Sequence, residues 1–341
     1  MPIKNLFVIS FIIFCAQNLC AQTDSSQFYI KQGIAEKIAH RYLVASIDFG
    51  KALKFNPSSF QAYFENGVVN REMRKFDAAQ GNFIKAYSLE PNNQLVAKEL
   101  CTIYFNNRQF QKVIDIIDKS VEYHDGARLK GMSLYNLEDY GKAVSVLKKV
   151  IVNDPADVEV LYILAKSYLE LEDYKNAIIN LENAISINPS KFSWIYELAQ
   201  IYQNKGDYIN AIKYYKLLEI AGYNKSNDFL ENMGFAYINT GDVYNGLKTL
   251  QIVLSRKPGN KELLSDIAQA LFKAKKYDDA LVYYQKLLVI DAKDANALYM
   301  AGISFLRKGE KQRGQQMCDQ AIIIDPSLSK NRQKSADVFG L

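Results

Sequence analysis

The stretch LEDYKNAIINLENAISINP, residues 171–189, recurs along the chain at a fixed interval. Residues 137–144 read LEDYGKAV thirty-four residues upstream, and residues 205–212 read KGDYINAI thirty-four residues downstream. Self-similarity at a constant period is typical of proteins built from repeated structural units. The period therefore predicts a fold assembled from repeated units.

The same phase extends over most of the chain. Prolines occur near the end of the period, at residues 57, 91, 155, 189, 258 and 326. Small residues mark a second recurrent position: Gly67, Gly131, Ala165, Ala199, Gly234, Ala268 and Gly302. The pattern predicts nine repeats that start near residues 26, 60, 94, 124, 158, 192, 227, 261 and 295.

Each repeat contains two segments with helical periodicity. In residues 158–191, apolar or small residues recur every three or four positions: Leu161, Leu164, Ala165 and Tyr168, then Ala177, Leu181 and Ala184. This spacing indicates two amphipathic helices and not strands. The later proline ends the second helix, because its nitrogen has no hydrogen to donate.

The turn between the two helices has its own sequence pattern. Gly206 and Gly241 suit the left-handed conformation that commonly ends a helix. An aspartate follows at the place where a side-chain oxygen caps the next helix, namely at Asp139, Asp173, Asp207 and Asp242. The small alanines 143, 177, 211 and 280 are expected to be buried where the paired helices cross.

These residues resemble the tetratricopeptide repeat. The family pattern is matched in the fifth repeat by Ala165, Tyr168, Tyr174, Ala177, Leu181, Ala184 and Pro189. The resemblance covers about residues 26–328 and implies an all-α α-solenoid, a right-handed superhelix of about nine helix-turn-helix repeats. It also implies that the chain binds proteins or peptides in a concave groove lined by the first helices.

Some repeats depart from the family pattern. The first has Glu36 where an aromatic residue is expected, the seventh has Val243 and Gly246, and the ninth has Lys311 and Gly314. The third lacks its proline and spans only thirty residues. We expect an altered angle between helix pairs near residues 118–128.

The N-terminal segment, residues 1–21, has the features of a secretory leader. Lys4 precedes an apolar run from Leu6 to Ala16, and Ala21 precedes the expected cleavage site. The run is shorter than the roughly 20 apolar residues that span a bilayer. We expect a periplasmic or secreted protein without stable membrane insertion. Lipidation at Cys20 is disfavoured, because Leu19 precedes it.

Residues 22–328 are expected to form the repeat array, and residues 329–341 a polar tail or capping helix. The mature chain would keep only Cys101 and Cys318. Repeats contact only their neighbours, so these two cysteines are expected to stay unbridged.

The family's groove positions predict which side chains meet a partner. They place Phe64, Lys98, Phe105, Arg128, Tyr135, Tyr162, Lys166, Tyr196, Phe235, Phe272 and Tyr299 inward. Aromatic and arginine side chains are common binding anchors. The predicted binding groove comprises Lys98, Phe105, Arg128, Tyr135, Tyr162, Lys166, Tyr196 and Phe235. Its cations favour an acidic protein or peptide partner.

Two alternatives remain for this groove. The aromatic residues could instead pack against the first helix of the neighbouring repeat. The groove could also stack a glycan or another extended envelope molecule in place of a peptide. The carboxylate clamp that the family uses to grip a C-terminus is not reproduced here.

Other classes of function find little support in the sequence. No GxSxG, HExxH or GxxxxGK[ST] pattern occurs, and the two histidines, His40 and His124, have no second ligand nearby. We expect no enzyme activity, no cofactor and no metal site. A formal net charge of +5 without a long basic run argues against a nucleic-acid partner.

Overall fold

The computed structural model describes residues 24–119 and 126–330 of the 341-residue chain. Within these ranges the backbone forms eighteen α-helices and one 3-10 helix, with no strand. The all-α class predicted from the periodicity is confirmed. Packing divides the chain between Ala184 and Ile185 into two compact bodies, called unit 1 and unit 2.

Unit 1 holds the first five helix pairs, up to the boundary inside α10. Its helices are α1 (24–38), α2 (Tyr42–Phe55), α3 (Phe60–Glu72), α4 (Phe76–Leu89), α5 (Gln94–Asn106), α6 (Phe110–Lys119), α7 (Gly126–Asn136), α8 (Tyr140–Asn153), α9 (Val158–Glu170) and α10 (Tyr174–Ile187).

Unit 2 holds the remaining four pairs. Its helices are α11 (Phe192–Asn204), α12 (Tyr208–Ile220), α13 (Asn227–Asn239), α14 (Val243–Arg256), α15 (Lys261–Lys273), α16 (Tyr277–Ile290), α17 (Ala295–Arg307) and α18 (Lys311–Ile324), before the 3-10 helix Pro326–Leu328. Seven predicted repeat starts coincide with the first residue of an odd-numbered helix.

A left-handed residue joins the two helices of every pair. Glycine occupies this position at Gly206, Gly241 and Gly309. In the other six pairs it is His40, Arg74, Arg108, Glu138, Glu172 or Lys275, each with φ between 56° and 62°. The next residue closes the turn, as where the Asp173 N–H donates to the Tyr168 carbonyl at 2.8 Å. The predicted turn is confirmed.

The predicted aspartate caps are also confirmed. Asp173 accepts a hydrogen bond from the Asn176 backbone N–H at 3.2 Å and another from the Asn176 side chain at 2.6 Å. These two hydrogen bonds lower the pKa of Asp173. The other three caps accept from the backbone N–H three residues on: Asp139 from Lys142, Asp207 from Asn210 and Asp242 from Asn245.

The core of a helix pair is built from one small and one large residue. A Cβ added to Gly67 on α3 would lie 2.6 Å from the ring of Phe83 on α4. Gly33 stands in the same relation to Phe49, also at 2.6 Å. Both phenylalanines are fully buried. In these two pairs the aromatic ring occupies the space that a side chain on the first helix would need.

A second kind of close approach joins two glycine backbones. A Cβ added to Gly246 would lie 2.8 Å from the carbonyl oxygen of Gly234. One added to Gly314 would lie 2.6 Å from the carbonyl oxygen of Gly302. Real Cβ atoms essentially never come so close to another heavy atom. The crossings α13–α14 and α17–α18 therefore depend on backbone-to-backbone contact.

The alanines expected at helix crossings, residues 143, 177, 211 and 280, are all fully buried, as predicted. Cys101 and Cys318 are buried and unbridged, also as predicted. Burial raises the pKa of the Cys101 thiol to about 12. At neutral pH this thiol therefore stays protonated and packs as a small apolar residue.

Several predictions fall outside the described residues or are not tested by them. The leader (1–21) and most of the tail (329–341) lie outside. So do residues 120–125 of the short third repeat, where the altered angle near 118–128 is expected. The domain limits and the handedness of the superhelix stay predictions.

Candidate functional site

The predicted groove residues all lie on first helices of their pairs. In unit 1 they are Lys98 and Phe105 on α5, Arg128 and Tyr135 on α7, and Tyr162 and Lys166 on α9. In unit 2 they are Tyr196 on α11 and Phe235 on α13. The placement on first helices follows from the register.

Lys98 borders a cavity in unit 1. The cavity has a volume of about 350 Å³ and is lined by Arg71, Phe76, Lys98, Glu99, Thr102, Ile103, Asn106 and Asn107. The side chain of Phe76 is 59% exposed. Arg71 forms an ion pair with Glu99 at one edge. The cavity thus combines an apolar surface with charged and amide groups, a mixture found in ligand pockets.

Arg128 is held by carboxylates of the next repeat. Its Nε donates to Asp157 Oδ2 at 2.7 Å, and its Nη2 donates to Glu159. Asp157 also caps α9, because its Oδ1 accepts from the Val160 N–H at 3.1 Å. Arg128 therefore ties α7 to the start of α9. Its role in contacting an acidic partner stays a prediction, although its guanidinium already has acidic neighbours.

The two predicted aromatic residues of α5 and α7 pack inside their own helix pairs. The Phe105 ring lies 5.4 Å from Phe110 at the start of α6, centroid to centroid. The Tyr135 ring lies 5.6 Å from Tyr140 at the start of α8. All four rings are half-buried. Packing between helices accounts for these contacts without a ligand.

Tyr196 in unit 2 packs against the neighbouring repeat. Asn232 on α13 donates to the Tyr196 hydroxyl at 2.9 Å. The ring centroid lies 6.0 Å from those of Tyr215, Tyr223 and Phe229. Burial raises the pKa of Tyr196. These contacts favour the packing alternative for Tyr196.

Two further aromatic residues, Phe235 and Tyr299, differ in how deeply their side chains are buried. Phe235 is half-buried on α13. Tyr299, which the register placed inward, is buried in the core of the last helix pair. Its burial favours the packing alternative for Tyr299.

The first helices of unit 2 also carry carboxylates that the groove prediction omitted. Burial and the nearby charges of Asp228, Asp266 and Glu262 raise the pKa of Glu231. Burial and Glu262 raise the pKa of Asp266. Glu231 occupies the same register position as Lys98, Arg128, Tyr162 and Tyr196, so the sequence did contain this information. The first helices α13 and α15 of unit 2 thus carry clustered carboxylates, whereas the predicted cations Lys98, Arg128 and Lys166 all lie in unit 1.

Neutralising Glu231 is expected to stabilise unit 2 at pH 7. Because the pKa of Glu231 is higher in the folded state than in the unfolded state, protonation of its carboxyl favours folding. The stability that this protonation adds is lost as the pH rises through the folded-state pKa. Glu231→Gln should therefore melt at a higher temperature than the wild type at pH 7. The difference should shrink as the pH falls towards the ordinary value of 4.5 and the wild-type carboxyl takes up a proton.

Thermal melts across this pH range test the expectation. Glu170→Gln removes an exposed carboxylate at the end of α9 and is the control for the loss of one charge. A Glu231→Gln melting temperature at or below the wild-type value at pH 7 would contradict the electrostatic account.

The described ranges 24–119 and 126–330 contain no cluster of three His, Cys, Asp or Glu side chains suited to a metal ion. His40 lies in the turn before α2, where its Nδ1 is 2.8 Å from the Tyr42 hydroxyl. His124 lies outside the described residues. Among the helices of the described ranges, none has the length and apolar content needed to cross a bilayer.

Family models match several parts of the chain. The model for subunit 3 of the anaphase-promoting complex, or cyclosome, matches residues 124–184. Tetratricopeptide-repeat models match residues 195–218, 233–297 and 266–328. None of these models describes a catalytic family.

Two curated proteins are similar to parts of this chain. Anaphase-promoting complex subunit 3 of Schizosaccharomyces pombe is 24% identical over 144 residues, which are 41% of this chain and 22% of that protein. DnaJ protein P58IPK homolog B of Oryza sativa subsp. japonica is 25% identical over 133 residues, 34% of this chain and 28% of that protein. The chain thus spans less than a third of the length of these relatives.

Among solved structures, the fold is similar to the C-terminal part of a TPR repeat-containing protein from Cytophaga hutchinsonii. The TM-score is 0.50 at 20% identity, over 71% of this chain and 98% of that chain. At this identity the likeness concerns the fold alone. Together, the repeat models, the paired helices and this structural likeness support the tetratricopeptide-repeat family for this chain.

Proposed function

We propose that this chain is an exported scaffold that binds another protein or a peptide of the bacterial cell envelope. The contact surface lies in unit 1, on the first helices α5, α7 and α9. The observation that carries the proposal is the cavity beside Lys98, about 350 Å³ in volume. Pockets that hold ligand groups commonly have volumes of about 300 to 1,000 Å³.

The chemistry of this cavity suits a peptide side chain. Phe76 and Ile103 offer apolar surface, while Thr102 and the Asn106 amide offer hydrogen-bonding groups. Lys98 is exposed on the rim, where an ammonium group attracts a carboxylate of a partner. An acidic peptide with an apolar anchor therefore matches the site.

The comparisons support the scaffold part of the proposal. The Schizosaccharomyces pombe relative is, by its name, a subunit of a protein complex. The matched repeats extend over much of this chain, and repeat arrays present long surfaces to partners. Placement in the envelope rests on the leader-like residues 1–21 alone.

We favour a protein or peptide over a glycan. A glycan would stack on exposed aromatic faces, but Phe105, Tyr135 and Tyr196 are engaged in ring contacts within the chain. Those contacts leave less aromatic surface for a sugar ring than the sequence predicted.

Charge reversal at Lys98 is expected to weaken the interaction at least about tenfold, because a repulsive contact replaces an attractive one. Immobilised wild-type and Lys98→Glu chains are each incubated with an envelope extract, and the retained proteins are quantified by mass spectrometry. Lys148→Glu, at an exposed position on the second helix α8, is the matched control. A protein retained by the wild type and by the control, and lost with Lys98→Glu, is the expected result.

Two measurements make this test decisive. Melting curves should coincide for all three chains, since Lys98 is a surface residue. Retention should fall with added salt, because exposed charges are screened beyond about 10 Å at 0.1 M. Equal retention by all three chains, or retention of glycan without protein, would contradict the proposal. Arg128 is unsuitable for the test, because its reversal would also break the ion pairs with Asp157 and Glu159.

A further inference from the structure

A further surface, in unit 2, lies on α12, which is the second helix of its pair. A groove of about 630 Å³ runs beside α12 and is closed by the end of α13 and the residue that caps α14. Its lining residues are Ile209, Ile212, Lys213, Lys216, Leu217, Ile220, Tyr237, Thr240 and Asp242.

The groove has an apolar strip along the full length of α12. Ile209 is 75% exposed, Ile220 is 84% exposed, and Leu217 lies exposed between them. At about 1.5 Å rise per residue, the strip from Ile209 to Ile220 is roughly 16 Å long, or about three helical turns. Exposed aliphatic residues that line one continuous groove typically mark a binding surface.

Two lysines flank this strip. Lys213 Nζ lies 5.2 Å from the ring centroid of Tyr214, and Lys216 Nζ lies 5.6 Å from that of Tyr237. Within the described ranges, neither ammonium group forms an ion pair within 4.0 Å. The one carboxylate of the groove, Asp242, accepts two hydrogen bonds from Asn245 as the cap of α14, and these bonds together with the nearby charge of Lys216 lower its pKa. The groove is therefore apolar along its length and basic at its edge.

The apolar strip and the two lysines together indicate which kind of partner the groove binds. An apolar strip of three turns beside a helix fits a second helix laid along it, with apolar residues at intervals of three and four. Two cations at the edge favour Asp and Glu on the flank of that helix. We propose that this groove binds an acidic amphipathic helix of a partner protein, independently of the surface around Lys98.

Other occupants match the charge less well. A symmetric contact between two copies would bring each copy's Lys213 and Lys216 together, and like charges oppose that contact. The C-terminal residues 331–341 carry Arg332 and Lys334 against a single acidic side chain, Asp337. Residues 1–23 are apolar, with Lys4 as their one charged side chain.

Helix α16 carries residues at the positions that correspond to the groove positions of α12, and it therefore serves as an internal control. Asp278, Val282, Gln285, Lys286 and Val289 stand there in place of Ile209, Lys213, Lys216, Leu217 and Ile220. Of these, Gln285 and Val289 line a smaller cavity of about 360 Å³. The Arg313 guanidinium lies 3.9 Å from the Phe305 ring centroid and so covers the aromatic wall. Val289 is 81% exposed and is thus a surface match for Ile220.

The probe is a fluorescein-labelled helical peptide of fourteen residues, with leucine at positions 1, 5, 8 and 12 and glutamate on the flanks. A second peptide replaces each glutamate by lysine. Fluorescence anisotropy measures the affinity of each for the full chain. We expect the acidic peptide to bind the wild type at least about tenfold more tightly than the basic peptide, with an affinity that falls as salt rises.

Four variants locate the binding. Lys213→Glu with Lys216→Glu should weaken the acidic peptide at least about tenfold, and Ile220→Ala several-fold, since it removes an apolar contact. Val289→Ala and Lys148→Glu, which lie outside both proposed surfaces, should leave its affinity unchanged. All four changes are at exposed positions, and circular-dichroism melts confirm that each chain is folded.

The opposite outcomes are equally clear. The proposal is overturned if the Lys213, Lys216 double variant binds the acidic peptide within about twofold of wild type. It is also overturned if Val289→Ala weakens binding as much as Ile220→Ala, or if both peptides bind alike. Sedimentation tests the second-copy alternative: wild-type self-association that Ile220→Ala abolishes would assign the groove to another copy of this chain.

Discussion

Replacing Phe83 by alanine is expected to destabilise unit 1 by about 3 to 5 kcal/mol, the usual loss for a large aromatic side chain removed from a core. Phe83 is fully buried and contacts the cluster that joins α3, α4 and α5. Urea denaturation followed by circular dichroism measures the loss. A change below about 1 kcal/mol would show that the ring contributes little to the core.

The contact between Phe83 and Gly67 allows a sharper test by a double-mutant cycle. Gly67→Ala alone should destabilise unit 1, because its Cβ would lie 2.6 Å from the ring. The same substitution in a Phe83→Leu background should cost less, since the fifth repeat combines alanine and leucine at these positions, Ala165 and Leu181, both buried. Additive effects would show that the two positions are not coupled.

Ala177→Leu is expected to destabilise unit 1 by roughly 1 to 3 kcal/mol through overpacking. Ala177 is fully buried, and the period places it at the crossing of a helix pair. Ile179→Leu on the same helix is the control, because Ile179 is 45% exposed and the change conserves volume. Equal melting temperatures for wild type and Ala177→Leu would place residue 177 outside the tightly packed crossing.

The features predicted correctly from the sequence are those set by local chemistry. The turn at Gly206 and the cap at Asp173 involve residues within a few positions of one another, and both were confirmed. The starts of α3 and α9 were found because the period places them. Local hydrogen bonding and periodicity require no knowledge of distant contacts.

The candidate site was predicted less completely, because its side chains interact across repeats. Arg128 pairs with Asp157, twenty-nine residues away, and Tyr196 accepts from Asn232, thirty-six residues away. The register shows that a residue lies on a first helix. It does not show whether a neighbouring repeat already engages that side chain. For the same reason, the clustered charges around Glu231 emerge only when α13 and α15 are placed side by side.

The two kinds of glycine contact have different consequences for how the sequence can drift. Where Gly67 faces Phe83, a smaller residue at position 83 would open room for a side chain at position 67, so the two can change in sequence. Where Gly314 faces the carbonyl oxygen of Gly302, the obstructing atom belongs to the main chain, and no substitution removes it. At the Gly67–Phe83 contact, the two residues can therefore be replaced one after the other with the chain folded at each step. At the Gly314–Gly302 contact, no such series of single substitutions exists. The geometry of the α17–α18 crossing can then be altered only by moving whole helices.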